Sequence, residues 1–223
     1  MGRIGCFLRR SSFVLGAVTD FPIWTPILCG QCFFVGASVL CVSMRVRVML
    51  RDFNFLVTTF RGGEADACSE IWYVLGEIGD SAAKVDKTGV SGLIAAKASF
   101  DPLETVEKLR VILRERPYEF RYSLRIIPIQ KVVRTDLGEI ERIVTELASE
   151  IGKDETFRVT VEKRFSSISS RDIIEAAAAN IERKVDLANP DKLVLIEVVG
   201  GFTGVSVLKP SEIISVVKEK FEG

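Results

Sequence analysis

From Phe53 to the C terminus, the apolar positions alternate between period-two runs and runs at helical spacing. Phe53 to Phe60 (FNFLVTTF) is rich in aromatic and branched residues and predicts a strand, closed by Gly62-Gly63. Glu64 to Ile78 follows at helical spacing, with Ala67, Ile71, Val74 and Leu75 on one face. Lys84 to Phe100 reads as two extended segments about a turn at Lys87-Thr88-Gly89. Asp101 as N-cap and Pro102 at the first helical position then open a second helix. Its apolar positions Leu103, Val106, Leu109, Val111 and Leu113 carry it to Arg116, and Pro117 stops it. Strand, helix, hairpin, helix, strand is the ferredoxin-like order, βαββαβ.

Tyr118 to Val133 predicts the long final strand of that unit and a bridge to the next. Arg121, Ser123 and Arg125 fall on one side, Tyr122, Leu124 and Ile126 on the other, and Pro128 implies an edge or a bend. Leu137, Ile140, Val144, Leu147 and Ile151 mark an amphipathic helix that Gly152 would cap. Phe157, Val159 and Val161 alternate with Arg158, Thr160 and Glu162 as a half-buried strand. A helix burying Ile173, Ile174, Ala177, Ala178 and Ile181 follows, with alanines small enough to approach a sheet. Lys192 to Val199 (KLVLIEVV) reads as a core strand, Gly200-Gly201 as a turn into Thr203 to Leu208, and Lys209-Pro210-Ser211 as the start of a terminal helix through Phe221. The predicted class is α/β (α+β), with a ferredoxin-like domain at 52–117 and a mixed-sheet domain at 118–223.

The N-terminal residues 1–44 break this pattern. Phe21 to Met44 carries no charge and follows Arg3, Arg9 and Arg10, so a membrane span or a signal peptide fits its outline. Pro22, Pro26, Gly30, Gly36, Gln31, Ser38 and Ser43 spoil the apolar run. The shift in cysteine and charge usage near Arg45 favours a third reading, a true start at Met44 or Met49 and a dispensable upstream stretch. A membrane anchor comes second, and no membrane partner is expected.

Composition restricts the chemistry more than the fold. The chain of 223 residues has no net charge and no histidine, which removes the commonest general base and metal ligand. A Ser-His-Asp or Cys-His nucleophile is impossible within it. Cys29 and Cys32 form a CxxC in an apolar run without further ligands, so no metal site is expected. Cys68 reads as a small packing residue. No catalytic residue and no cofactor loop stand out.

What remains is a phosphate chemistry. FRVTVEKRFSSISSR is a strand ending in Lys163 and Arg164, a hydroxyl-rich loop, and a helix opening beside Arg171. Free N–H groups at a helix start, serine hydroxyls including Ser169, and these cations make a phosphate cradle. Ser169-x-x-Asp172 equally spells a capping-box variant that only starts a helix. Arg114 to Arg134 forms a locally basic stretch, from which a modest, salt-sensitive affinity for nucleic acid could come.

RIIPIQKVVRT, FRVTVEKR…SSRDIIEAAAANI and VDLANPDKLVLIEVVGGFTGVSVL together resemble the THUMP domain, an RNA-binding module of tRNA thiouridine synthetases, tRNA methyltransferases and some pseudouridine synthases. The likeness is greatest to stand-alone THUMP proteins related to the adaptor for tRNA cytidine N4-acetylation. It covers roughly residues 52–223, and a ferredoxin-like unit is the domain's usual companion. The resemblance implies a cytoplasmic, non-catalytic protein that binds tRNA and presents it to a modification enzyme such as an acetyltransferase. The positions matching the family's binding surface are Arg125, Lys131, Lys163, Arg164 and Arg171, joined by Gly200 and Gly201. The residues by themselves leave a plainer reading open, in which these charges solvate strand ends and the glycines form a hairpin turn. A small phosphate- or nucleotide-binding enzyme using Lys, Asp or Glu is the alternative function.

Overall fold

The computed structural model describes residues 51–221, and two five-stranded sheets organise them. The first follows the expected order: β1 (Phe55–Thr59), α1 (Glu64–Glu77), β2 (Lys84–Lys87), β3 (Leu93–Lys97), α2 (Pro102–Glu115) and β4 (Ser123–Pro128). Its strands lie β4-β1-β3-β2 with antiparallel neighbours, the ferredoxin-like arrangement. The run Phe55-Leu56-Val57 is apolar throughout because β1 is covered on both faces. Phe55 and Val57 pack with Ile71 and Leu75 of α1 and Val106 and Leu109 of α2, while Leu56 packs with the second sheet.

Asp101 caps α2 as expected, accepting from the backbone N–H of Leu103 (2.9 Å) and Glu104 (3.1 Å), a cap worth about 1 kcal/mol. Val111 is exposed instead of buried, and Ile112 takes its place. The stripe set by Val106, Leu109 and Leu113 passes Ile112 at helical spacing and leaves Val111 outside.

The second sheet contains β5 (Lys131–Arg134), β6 (Thr156–Arg164), β7 (Lys184–Val185), β8 (Lys192–Val199) and β9 (Phe202–Leu208), with α3 (Leu137–Leu147) and α4 (Ser170–Ala178) between them in the chain. The order is β5-β9-β8-β6-β7, parallel from β8 through β6 to β7 and antiparallel elsewhere. Ile140 and Val144 of α3 and Ile173 of α4 pack on Phe157, Val194, Ile196, Val205 and Val207.

Several boundaries differ from the sequence reading. The segment 118–133 is two strands in two sheets, because Pro128 ends β4 and the next residues change partners. The Ile129 N–H bonds the Asn54 carbonyl (2.8 Å), and Gln130 bonds Ser206 Oγ (3.1 Å) and the Val207 N–H (2.7 Å) on β9. Gly152 does not cap α3. The chain tightens into a 3₁₀ turn at Ala148–Glu150, and the Gly152 N–H bonds the Glu155 carboxylate at 2.7 Å. Helix α4 stops at Ala178, so Ile181 lies beyond it and Ile174 is exposed. The terminal helix is split by a strand, β10 (Ile214–Ser215), before α5 (Val216–Phe221).

Strand β10 pairs with Ile126 and Arg125 of β4, so the first sheet closes with the last residues of the chain. The sheets therefore do not divide at residue 117. Arg110 of α2 fixes this closure through Glu219 (3.0 Å) and the Ser211 carbonyl. Between the sheets lies an apolar seam of Phe53, Leu56, Leu93, Ala95, Ile127, Ile129, Leu195 and Val199. Gly204 fits there because a Cβ would stand 2.9 Å from Ile129 Cγ2. Cys68 is half-buried against the first core. Among the described residues, no helix is long and apolar enough to cross a membrane. The apolar extension, including Cys29 and Cys32, lies outside the described residues.

Candidate nucleic-acid interface

Successive side chains on a strand point to opposite faces, and that separates the predicted cradle into two groups. Val159 and Val161 of β6 pack with the α3 and α4 core, so Lys163 shares the helix side and Arg164 faces away from it. On the helix side, Lys163 Nζ donates to the Ile168 carbonyl (2.9 Å). Ser169 caps α4 by accepting from the Arg171 N–H (3.2 Å), so the helix-start reading of this serine describes what its hydroxyl does. The Arg171 side chain is 85% exposed and pairs with Glu175 at 2.8 Å, a surface pair of little energetic weight.

On the other face, Arg164 donates from Nη1 to Glu197 Oε2 at 2.7 Å. Glu197 belongs to β8 with Leu195 and Val199 on either side along the seam face, and it is fully buried. Its second oxygen, Oε1, is buried without a hydrogen-bond partner among the described residues. Burial pushes this carboxyl above its ordinary value. The Arg164 bond and charge, and the charge of Arg125, pull it back, whereas Glu162 adds to the rise. Arg125 sits on β4 opposite Thr58 and Ser215. Arg125 and Arg164, from different sheets, thus act on one buried carboxylate.

The Gly200-Gly201 hairpin gathers the strand ends. The Gly200 N–H bonds the Arg164 carbonyl (2.9 Å), and Gly200 adopts φ +61°, which a glycine takes without strain. Thr135 bonds the carbonyl of Gly201 through its N–H (3.0 Å) and that of Gly200 through Oγ1 (2.9 Å). These bonds draw the end of β5 to the hairpin, and Arg134, opposite Phe202, comes with it. Arg134 is exposed and makes no ion pair among the described residues. Lys131 lies three positions down the same strand, about 10 Å away, and pairs with Glu146 at 3.7 Å.

The resulting site is one end of the second sheet. Lys163, Ser169 and Arg171 stand on its helix side, Arg164 and Arg125 on its seam side, with the glycine hairpin and Arg134 at the rim. Lys131 stands apart. Sequence reasoning placed Arg134 in a basic stretch without assigning it to the site, and passed over Glu197. A lone acid inside KLVLIEVV was the available signal for Glu197.

The family model described as THUMP domain matches residues 134–208, the span that carries this sheet end. An uncharacterised protein of Methanocaldococcus jannaschii is 34% identical over 101 residues, which are 43% of this chain and 28% of that protein. The chain thus corresponds to well under half of that relative's length. A crystal structure of a Pyrococcus horikoshii protein superposes with a TM-score of 0.55 at 21% identity, over 71% of this chain and 55% of that one. The solution structure of the THUMP domain of THUMP domain-containing protein 1 is 24% identical, covers 34% of this chain and 88% of that one, and gives a TM-score of 0.30.

Proposed function

We propose, from the THUMP domain that residues 134–208 form, that this chain is a non-catalytic tRNA-binding protein that presents its RNA to a separate modification enzyme. A THUMP domain implies RNA binding and a role in tRNA modification. The finer reading is an adaptor that works in the cytoplasm with an acetyltransferase acting at cytidine N4. One observation supports the RNA-binding part of this reading: within the matched span, cations, hydroxyls and an open glycine hairpin collect at one end of one sheet. Phosphates suit such a rim, since Arg134 and Lys163 are exposed and, among the described residues, neither is held by a carboxylate. Net charge is zero, so the affinity rests on this local patch and is sensitive to salt.

The test is a gel shift of the chain with unmodified total tRNA beside a titration with ATP and GTP, followed by incubation of tRNA with common acyl and methyl donors. Retarded tRNA, no nucleotide binding and no modified nucleoside are expected. Turnover by the chain alone would replace the adaptor with an enzyme, and absence of a tRNA shift would remove the RNA reading.

A further inference from the structure

Helix α1 leaves two bulky aromatics in solvent, Trp72 and Tyr73, outside the face it buries through Ala67, Ile71 and Val74. Tyr73 is 47% exposed, and Tyr118, in the 3₁₀ turn Pro117–Glu119, is 62% exposed. With Tyr122 they line a cleft of about 450 Å³ between α1 and the segment 118–122. Two ties fix its walls. At one end Arg116 Nη1 bonds Glu77 of α1 (2.8 Å) and Glu119 (2.9 Å). At the other, the buried Glu70 carboxylate accepts from the backbone N–H groups of Arg121 (2.6 Å), Tyr122 (2.8 Å) and Ser123 (2.9 Å). The segment is thus pinned to α1 while its tyrosines leave the space between them open, a preformed site that costs little ordering to fill.

The charged residues lining the cleft are Asp66, Glu70 and Glu119 against Arg121. Arg121 comes from the locally basic stretch of the sequence, but carboxylates from α1 and the turn outnumber it here. Glu119 Oε2 is buried with no hydrogen-bond partner among the described residues, so water screens its charge poorly. A surface of this sign repels phosphate. Three ring faces beside an excess of negative charge match a cation on an apolar stem, the side chain of arginine or lysine. Tyrosine and tryptophan are also enriched where proteins bind one another, and Trp72 stands next to Tyr73.

We infer that this cleft docks a basic segment of a partner protein, with an arginine or lysine side chain seated among Tyr73, Tyr118 and Tyr122. It is built by α1 and the entry to β4, in the first sheet, whereas the candidate RNA site lies at the end of the second. The two surfaces have opposite charge and separate ligands, so this inference stands apart from the RNA reading and either can fail alone.

Backbone-amide NMR of the full chain, titrated with capped pentapeptides that carry arginine, lysine or glutamate between alanines, tests it. The arginine and lysine peptides are expected to shift the amides of Ser69, Tyr73, Tyr118 and Tyr122, and the glutamate peptide to shift none of them. Tyr73→Ala combined with Tyr118→Ala should weaken the arginine peptide by about threefold or more. Tyr73→Phe combined with Tyr118→Phe should bind as the native chain does, because the ring face and not the hydroxyl holds the cation. Arg121→Ala, which removes the competing positive charge, should tighten binding, and it decides the matter if the double alanine variant melts early. Native affinity in the double alanine variant, weaker binding in Arg121→Ala, or shifts scattered over other surface acids would overturn the docking site. So would tRNA that shifts the same amides and loses affinity in the tyrosine variants, which assigns the cleft to RNA. Self-association of the native chain in sedimentation, abolished by the double alanine variant, assigns it to a second copy and overturns the inference as well.

Discussion

At the scale of single residues, Glu197 has the largest consequences. Its carboxyl is fully buried, bonded through Oε2 to Arg164 and, among the described residues, unpaired at Oε1. Removing it would leave Arg164, which is 26% exposed, without its partner, and Glu197→Ala is expected to cost about 3 kcal/mol. The pH dependence has a definite sign. Unfolded, the carboxyl titrates near its ordinary 4.5, and folded it titrates higher because burial disfavours the charge. Its contribution to stability is therefore complete below pH 4.5 and is lost as pH rises through the folded value. Urea unfolding at a series of pH values should show the native chain losing ground against Glu197→Gln across that window. A constant offset between the two would contradict the burial argument. Asp186 and Asp191, whose carboxyls backbone N–H groups and Thr156 hold below their ordinary range, titrate the same in both proteins and cancel.

At the scale of elements, long segments with a clear period were legible in the sequence and short ones were not. The alternation of Phe157, Val159 and Val161 and the stripe of Ala67, Ile71, Val74 and Leu75 both follow from burying one face. Strands β7 and β10 are two residues each, and pairing with distant strands, not local pattern, makes them strands. The split of Lys163 from Arg164 was implicit in strand alternation. The positive φ of Phe165 (+57°) was not, because nothing in FSSISS demands it. The seam between sheets was half legible: apolar runs such as FLV signal two covered faces without saying what covers them. Gly204 gives that seam a measurable property. With 2.9 Å between its Cβ position and Ile129 Cγ2, Gly204→Val should overpack the seam and cost about 1–3 kcal/mol in chemical unfolding, whereas Gly201→Ala, in open space, should cost far less.

At the scale of the whole molecule, the candidate site draws on both sheets: Arg164 of the second bonds Glu197, the charge of Arg125 from the first also favours that carboxylate, and β10 closes the first sheet from beyond the matched domain. On the proposed function, phosphates bind at the end of the second sheet. This is tested by tRNA affinity against salt for the native chain, for Arg134→Ala, and for Lys163, Arg164 and Arg171 replaced together by alanine. Arg134 makes no ion pair among the described residues, so its loss should leave melting unchanged. Each lost phosphate contact should flatten the slope of log affinity against log salt by roughly 0.7 to 0.9. A flatter slope in both variants is the expected result, and a native slope in both would contradict it.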